Sequence, residues 1–240
     1  MMSDNRSLVV RKADARGTTD FGWLKSRHSF SFGDYYDSAH MGFRSLRVIN
    51  QDRVAPGGGF PTHPHRDMEI FSYVFEGALA HKDSMGNGRI LKPGQIQLMS
   101  AGAGVTHSEF NPSDKDGLHF LQIWIQPSRQ GLAPSYTEWH PRAEDAQSSK
   151  VLVISPDGRD RSAVIQQDAF VYRLQMETGE TITHNLAPER GLWLQVIAGT
   201  VALAGCILTP GDGVASETAG THAITAQAVT EALLFDLGSI

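Results

Sequence analysis

Turn signals break this chain about every eight to twelve residues, and the runs between them are short and rich in β-branched and aromatic residues. Such spacing leaves little room for helices and predicts an all-β protein of sandwich or barrel type. Candidate strands are 43–50, 68–75, 79–83, 95–100, 105–110 and 118–126, then 151–154, 170–176, 192–197, 201–204, 214–216 and 232–237. The tip Met85-Gly86-Asn87-Gly88 carries an Asn-Gly hairpin signal, and Lys92-Pro93-Gly94 makes the next turn. A short helix is expected only at 143–149.

Two histidine-bearing pairs sit at strand positions. His63-Pro64-His65 follows the breaker-rich loop 55–61, and His107-Ser108-Glu109 follows Ala101-Gly102-Ala103-Gly104. Side chains two apart on a strand share a face. Pairs on neighbouring strands would aim three imidazoles and a carboxylate at one point, a set suited to a divalent transition metal. A lone buried histidine is more often a hydrogen-bonded core residue; two spaced pairs, each next to a glycine turn, are harder to explain that way.

Composition narrows the rest. Apolar residues make up 40% and charged residues 20% of 240, enough for packed cores and against disorder. That length allows one large β domain or two small ones. No run approaches the ~20 apolar residues of a membrane helix, and Met1 to Arg6 lack the apolar core of a signal peptide. Cys206 is the single cysteine, so no intrachain disulfide forms and a reducing, cytoplasmic setting is expected. The net charge is −5 with no Lys/Arg-rich run, which speaks against nucleic acid or anionic lipid as partner.

The halves repeat a plan. Phe71 to Gly77 parallels Leu194 to Gly199, and Leu91-Lys92-Pro93-Gly94 parallels Leu208-Thr209-Pro210-Gly211. By this count the counterparts of His63 and His65 fall near Ala187 and Pro188. His222 aligns with His107, but position 224 is Ile rather than Glu. A second barrel unable to build the same site is therefore expected.

Gly57, five residues, His63-Pro64-His65, three residues, Glu69 resembles the first cupin motif, with Gly77 seven rather than six residues beyond the Glu. Gly104-Val105-Thr106-His107, three residues, Asn111 resembles the second, without the usual proline before its glycine. The match to pirins is closer and runs nearly the full chain. It rests on Thr62 to Ile70, Gly86-Asn87, Met99 to Glu109, and His28-Ser-Phe-Ser-Phe-Gly-Asp-Tyr-Tyr36. In particular the chain resembles bacterial pirin-like quercetin 2,3-dioxygenases. The resemblance implies a bicupin of two jelly-roll barrels. The metal-binding domain would be 1–130, the connector 131–149 and the metal-free barrel 150–240. It also implies His63, His65, His107 and Glu109 as metal ligands. Glu69, the carboxylate used in many other cupins, remains the alternative to Glu109.

Three neutral imidazoles and one carboxylate leave one unit of positive charge on a divalent complex, which would hold a hydroxyl as its anion. Fe(II) is the first choice, with Ni, Cu, Mn, Co and Zn as alternatives. The resemblance implies a flavonol and O2 as substrates, Glu109 as base for the 3-hydroxyl, and carbon monoxide as a product. Two other readings remain open: a non-enzymatic, transcription-cofactor-like regulator with a protein partner, and a cupin isomerase using Lys82, Lys92 and Arg89 for phosphate. A monomer is expected. Phe60, Met68 and Phe71 are candidates for a pocket wall, although core packing is the commoner fate of such residues. His28 and His40 are candidates for its entrance. His81 and His119 read most simply as core or surface residues, Arg44 and Arg47 as a polar strand face, and Trp23, Trp124, Trp139 and Trp193 as packing anchors.

Overall fold

In the computed structural model, which describes residues 8–239, the chain forms two barrels of matching strand order, antiparallel except where Ala163–Val164 runs parallel to Lys150–Ser155. The leader reading of Met1 to Arg6 lies outside the described residues. In the first barrel a seven-stranded sheet runs in the order Ser135–Trp139, Ile96–Ser100, Glu69–Glu76, Leu118–Ile125, Leu46–Val54, Leu24–His28, Gly17–Asp20. Its partner sheet is Gly59–His65, Val105–Phe110, Leu79–Asp83, Gly88–Leu91. The second barrel repeats both. Its large sheet is Val9–Arg11, Gly213–Ser216, Gly191–Ala198, Thr230–Leu237, Ala169–Met176, Lys150–Ser155, Ala163–Val164. Its small sheet is Thr181–Leu186, Gly220–Ala226, Val201–Leu203, Cys206–Leu208. The expected helix at 143–149 is a 3-10 turn, Ala143–Gln147.

Each barrel borrows its edge. Val9–Arg11, at the front of the chain, pairs with Gly213–Ser216 of the second barrel. Ser135–Trp139, within the connecting stretch, pairs with Ile96–Ser100 of the first. Such pairing satisfies backbone groups that an open edge would expose.

The strands buried on both faces read as near-continuous apolar runs. Glu69–Glu76 turns Ile70, Ser72 and Val74 one way and Phe71 and Tyr73 the other. Phe71 and Tyr73 join Ile96, Leu98, Ile123, Val171, Trp193 and Phe235 in one cluster drawn from both large sheets, so the barrels pack back to back. The second barrel is filled by Leu174, Leu194, Val201, Leu234 and their neighbours. The first has apolar residues at its two ends and a polar middle. That middle is a register row across five strands: His28, Asn50, Gln122, Ser72 and Gln97, all buried.

Several strands lack a sequence signal. Gly59–His65 carries Pro61 and Pro64 and begins inside a stretch read as loop. It is tolerated because it is an edge strand, where a missing N–H breaks no second ladder. Arg44 is not on a strand face. It adopts a positive φ of 51° and bridges the barrels, donating from Nη1 to the carbonyls of Glu189 and Gly238. Arg47 holds the carbonyls of Ser31 and Met41.

Candidate metal centre

His63 and His65 share one face of Gly59–His65, and that strand pairs with Val105–Phe110 so that His63 lies opposite His107. An extra residue bulges at Pro61-Thr62, because Glu109 is registered with Phe60. The ligand atoms of His63, His65 and His107 all lie within 4.8 Å of one another. His63 Nδ1 lies 2.7 Å from the Pro61 carbonyl. Donation there fixes the tautomer and frees the Nε2 lone pair. That Nε2 faces His107 Nε2 at 3.1 Å. Nitrogens bound side by side to one ion at the usual ~2.0–2.1 Å sit about 3 Å apart, so the spacing fits a shared metal. Burial, then His107 and His63, pushes His65 down to about 4. Burial, then His63 and His81, pushes His107 down to about 3. Both rings are therefore neutral at physiological pH, the state a metal requires.

Glu109 is buried on the same face as His107. It belongs to a second cluster, His81, His107 and Glu109, which shares His107 with the first. Its carboxylate accepts hydrogen bonds from Ser72 Oγ (3.0 Å), Gln97 Nε2 (3.4 Å) and Gln122 Nε2 (2.5 Å). All three donors come from the polar row. His81, read above as core or surface, lies beside the centre. Its Nε2 is 3.2 Å from Asp83 Oδ2 and its Nδ1 is 2.9 Å from Gln97. Its i, i+2 spacing from Asp83 was a signal the sequence carried. His107 Nδ1 is buried without a partner.

Glu69 lies elsewhere. The strand breaks between His65 and Glu69, where Asp67 takes a φ of 49°, and parity restarts with Glu69 on the face of Phe71 and Tyr73. Its Oε2 accepts from Ser100 Oγ (2.6 Å) and the Gln166 amide (3.1 Å), which ties the two barrels together.

A cavity of about 500 Å³ opens onto His63 and His65. Phe32, Phe60 and Trp124 form an aromatic wall, with the Trp124 ring 4.9 Å from that of His65. His28, Asn50 and Asp52 form a polar wall. Burial pushes Asp52 up to about 7, with Glu109 adding to the rise, and its Oδ1 has no partner. Among the described residues no Lys or Arg lines this cavity; Lys82, Arg89 and Lys92 are absent from it. His28 lines it as expected, whereas His40 lines a different cleft between the barrels and contacts Asp37 at 2.8 Å. Phe60 is in the wall, Phe71 is in the core between barrels, and Met68 packs near Met99 and Trp124.

The second barrel preserves part of the pattern. Its sheet order makes Thr181–Leu186 the counterpart of Gly59–His65, and His184 faces His222 as His63 faces His107. The counterpart is thus His184, not the residues near Ala187 and Pro188, because those lie past the strand end. The remaining two positions are the buried, apolar Leu186 and Ile224. His184 is engaged by Asp236 at 2.8 Å and by Lys150 at 2.9 Å.

Comparison with known proteins follows the same lines. The family model described as Pirin matches residues 9–125, and that described as Quercetinase C-terminal cupin domain matches 152–237. A protein named quercetin 2,3-dioxygenase from Escherichia coli K12 is 46% identical over 96% of this chain and 98% of its own length. A pirin-like protein from Caulobacter vibrioides is 39% identical over 95% of this chain and 99% of its own length. The crystal structure of the bacterial pirin YhhW from Escherichia coli in complex with nickel(II) superposes with a TM-score of 0.93 at 44% identity. It covers 98% of this chain and all of its own.

Proposed function

The chain belongs to the pirin family, and from that premise we propose that it is a metal-dependent dioxygenase. Its substrate is a flavonol such as quercetin, opened at the 2,3 position with O2 to give a depside ester and carbon monoxide. The observation that carries the reading is the convergence of three imidazoles at the foot of an aromatic-walled cavity, with a buried carboxylate on the strand of one of them. His63, His65, His107 and Glu109 hold one divalent transition metal; Fe(II) heads the candidates, and nickel(II) occupies the related pirin. A bound ion supplies Lewis acidity toward the substrate oxygen and a partner for O2.

The protein's own groups do the rest. Ser72, Gln97 and Gln122 hold the Glu109 carboxylate in one orientation. Glu109 takes the proton of the flavonol 3-hydroxyl, which makes the ring system electron-rich. Phe32, Phe60 and Trp124 offer flat apolar surface to the rings and keep water out. A volume of about 500 Å³ is within the range that encloses ligands of this size. The lone Cys206, with no disulfide partner, supports a reducing, cytoplasmic setting.

The test is O2 uptake and carbon monoxide release with quercetin by metal-loaded protein. Glu109→Gln keeps the shape and removes the base, and is expected to lower the rate by about 100-fold or more. An unchanged rate removes Glu109 from this role.

A further inference from the structure

A second cleft, of about 560 Å³, lies on the outer face of the first barrel's large sheet, and none of the three converging imidazoles lines it. Along Leu24–His28 the pleat turns Leu24, Ser26 and His28 inward and leaves Lys25 and Arg27 outward. Arg53 is the register partner of Lys25, and Gln51 that of Arg27. Arg16 closes the cleft from the side, and Pro210 enters from the second barrel. Four cations, Arg16, Lys25, Arg27 and Arg53, thus meet on a molecule whose net charge is −5.

Their charges are only partly compensated: Asp20 lies on the cleft wall and Asp212 stands near Arg16. Arg16 is only 6% exposed. Its Nη2 donates to Gln51 Oε1 at 2.7 Å and its Nε reaches the Ala13 carbonyl at 3.5 Å, while Nη1 is buried with no partner. Burial and then the neighbouring Arg27 push Arg16 down to about 10, so it remains charged at neutral pH. The Arg27 side chain is exposed and has no hydrogen bond or ion pair among the described residues. Lys25 and Arg53 have long, exposed contacts of 3.6 Å with Asp20 and Glu76. An unmet N–H on a buried guanidinium is costly, and a planar fork beside further cations matches the oxygens of a phosphate group.

We propose that this cleft binds a small phosphate monoester, with Arg16 and Arg27 gripping the phosphoryl oxygens and Lys25 and Arg53 supplying the surrounding field. The exposed Thr18 hydroxyl on its wall adds a neutral donor. The cleft is larger than a bare ion needs and suits a phosphate carrying a small organic body. The assignment is independent of the dioxygenase reading, since it uses none of those residues.

Calorimetric titration of the metal-loaded protein with phenyl phosphate and inorganic phosphate, against chloride at matched ionic strength, tests it. Saturable one-site binding of the monoester is expected. Arg27→Glu, at an exposed position that leaves the fold alone, should weaken it by about tenfold or more. Arg16→Lys keeps the charge but loses the fork and should weaken it as well. Metal content should be unchanged in both variants. Several results would overturn the assignment: no heat beyond chloride, equal affinity in Arg27→Glu, or loss of binding on metal removal, which would put the anion on the metal. Capture of a phosphodiester polymer without the monoester would overturn it too.

Discussion

Glu109 and Asp52 are both fully buried carboxyls in the first barrel, and their surroundings separate them. Glu109 has three side-chain donors. Asp52 has one oxygen without a partner, and burial pushes it up to about 7. An acid raised in the folded state binds a proton there that the unfolded chain has already lost. Stability contributed by Asp52 is therefore intact below its ordinary value of 3.8 and falls as pH rises through about 7. Asp52→Asn in metal-free protein should match the parent in urea unfolding near the acid end of this window. It should become more stable toward mildly alkaline pH, with a slope difference of at most about 1.4 kcal/mol per pH unit. A constant difference across the window would show that Asp52 does not hold that proton. At this scale the shared face of His63 and His65, and that of His107 and Glu109, was legible from i, i+2 spacing. Asp52 was not, because its importance comes from burial and an unmet oxygen rather than from its neighbours in the chain.

Elements were legible where strands are apolar on at least one face and bounded by turns. Leu79–Asp83 and Val105–Phe110 fall where expected, and the glycine alignment of the two halves has a physical basis. Gly77 and Gly199 both adopt φ +78°, and a Cβ at either would strike backbone of the facing segment. Gly77→Ala should thus cost about 2 kcal/mol or more in urea unfolding. Gly86→Ala, at φ +94° with open space around it, should cost about 1 kcal/mol. Equal costs would mean that close approach is unimportant at Gly77. Val9–Arg11 and the first residues of Gly59–His65 escaped notice for a common reason. Edge strands satisfy few pattern rules, since their pairing partner alone makes them strands.

For the whole molecule, the largest apolar cluster belongs to neither barrel alone. Phe71 packs 6.3 Å from Phe235 between ring centroids, and Arg173 lies 5.1 Å over Trp139. The borrowed edge strands add a second dependence. Residues 150–240 expressed alone would expose the back of their large sheet and lose Val9–Arg11 from its edge. Such a fragment should run as aggregate on size exclusion and bind hydrophobic dye, whereas the intact chain should not. A soluble, monomeric fragment would show that the barrels are independent.

The sequence by itself determined parity: strand runs, glycine turns and i, i+2 pairs that commit side chains to one face whatever the partner. It also determined that the second half lacks the full ligand set. Only the tertiary structure decided which faces meet. Register set His63 against His107 and His184 against His222, a broken strand turned Glu69 toward the other barrel, and cross-strand pairing gathered Arg16, Lys25, Arg27 and Arg53 into one cleft. Side-chain direction along a strand is a local property of the backbone, whereas proximity across strands depends on pairings between residues far apart in the chain.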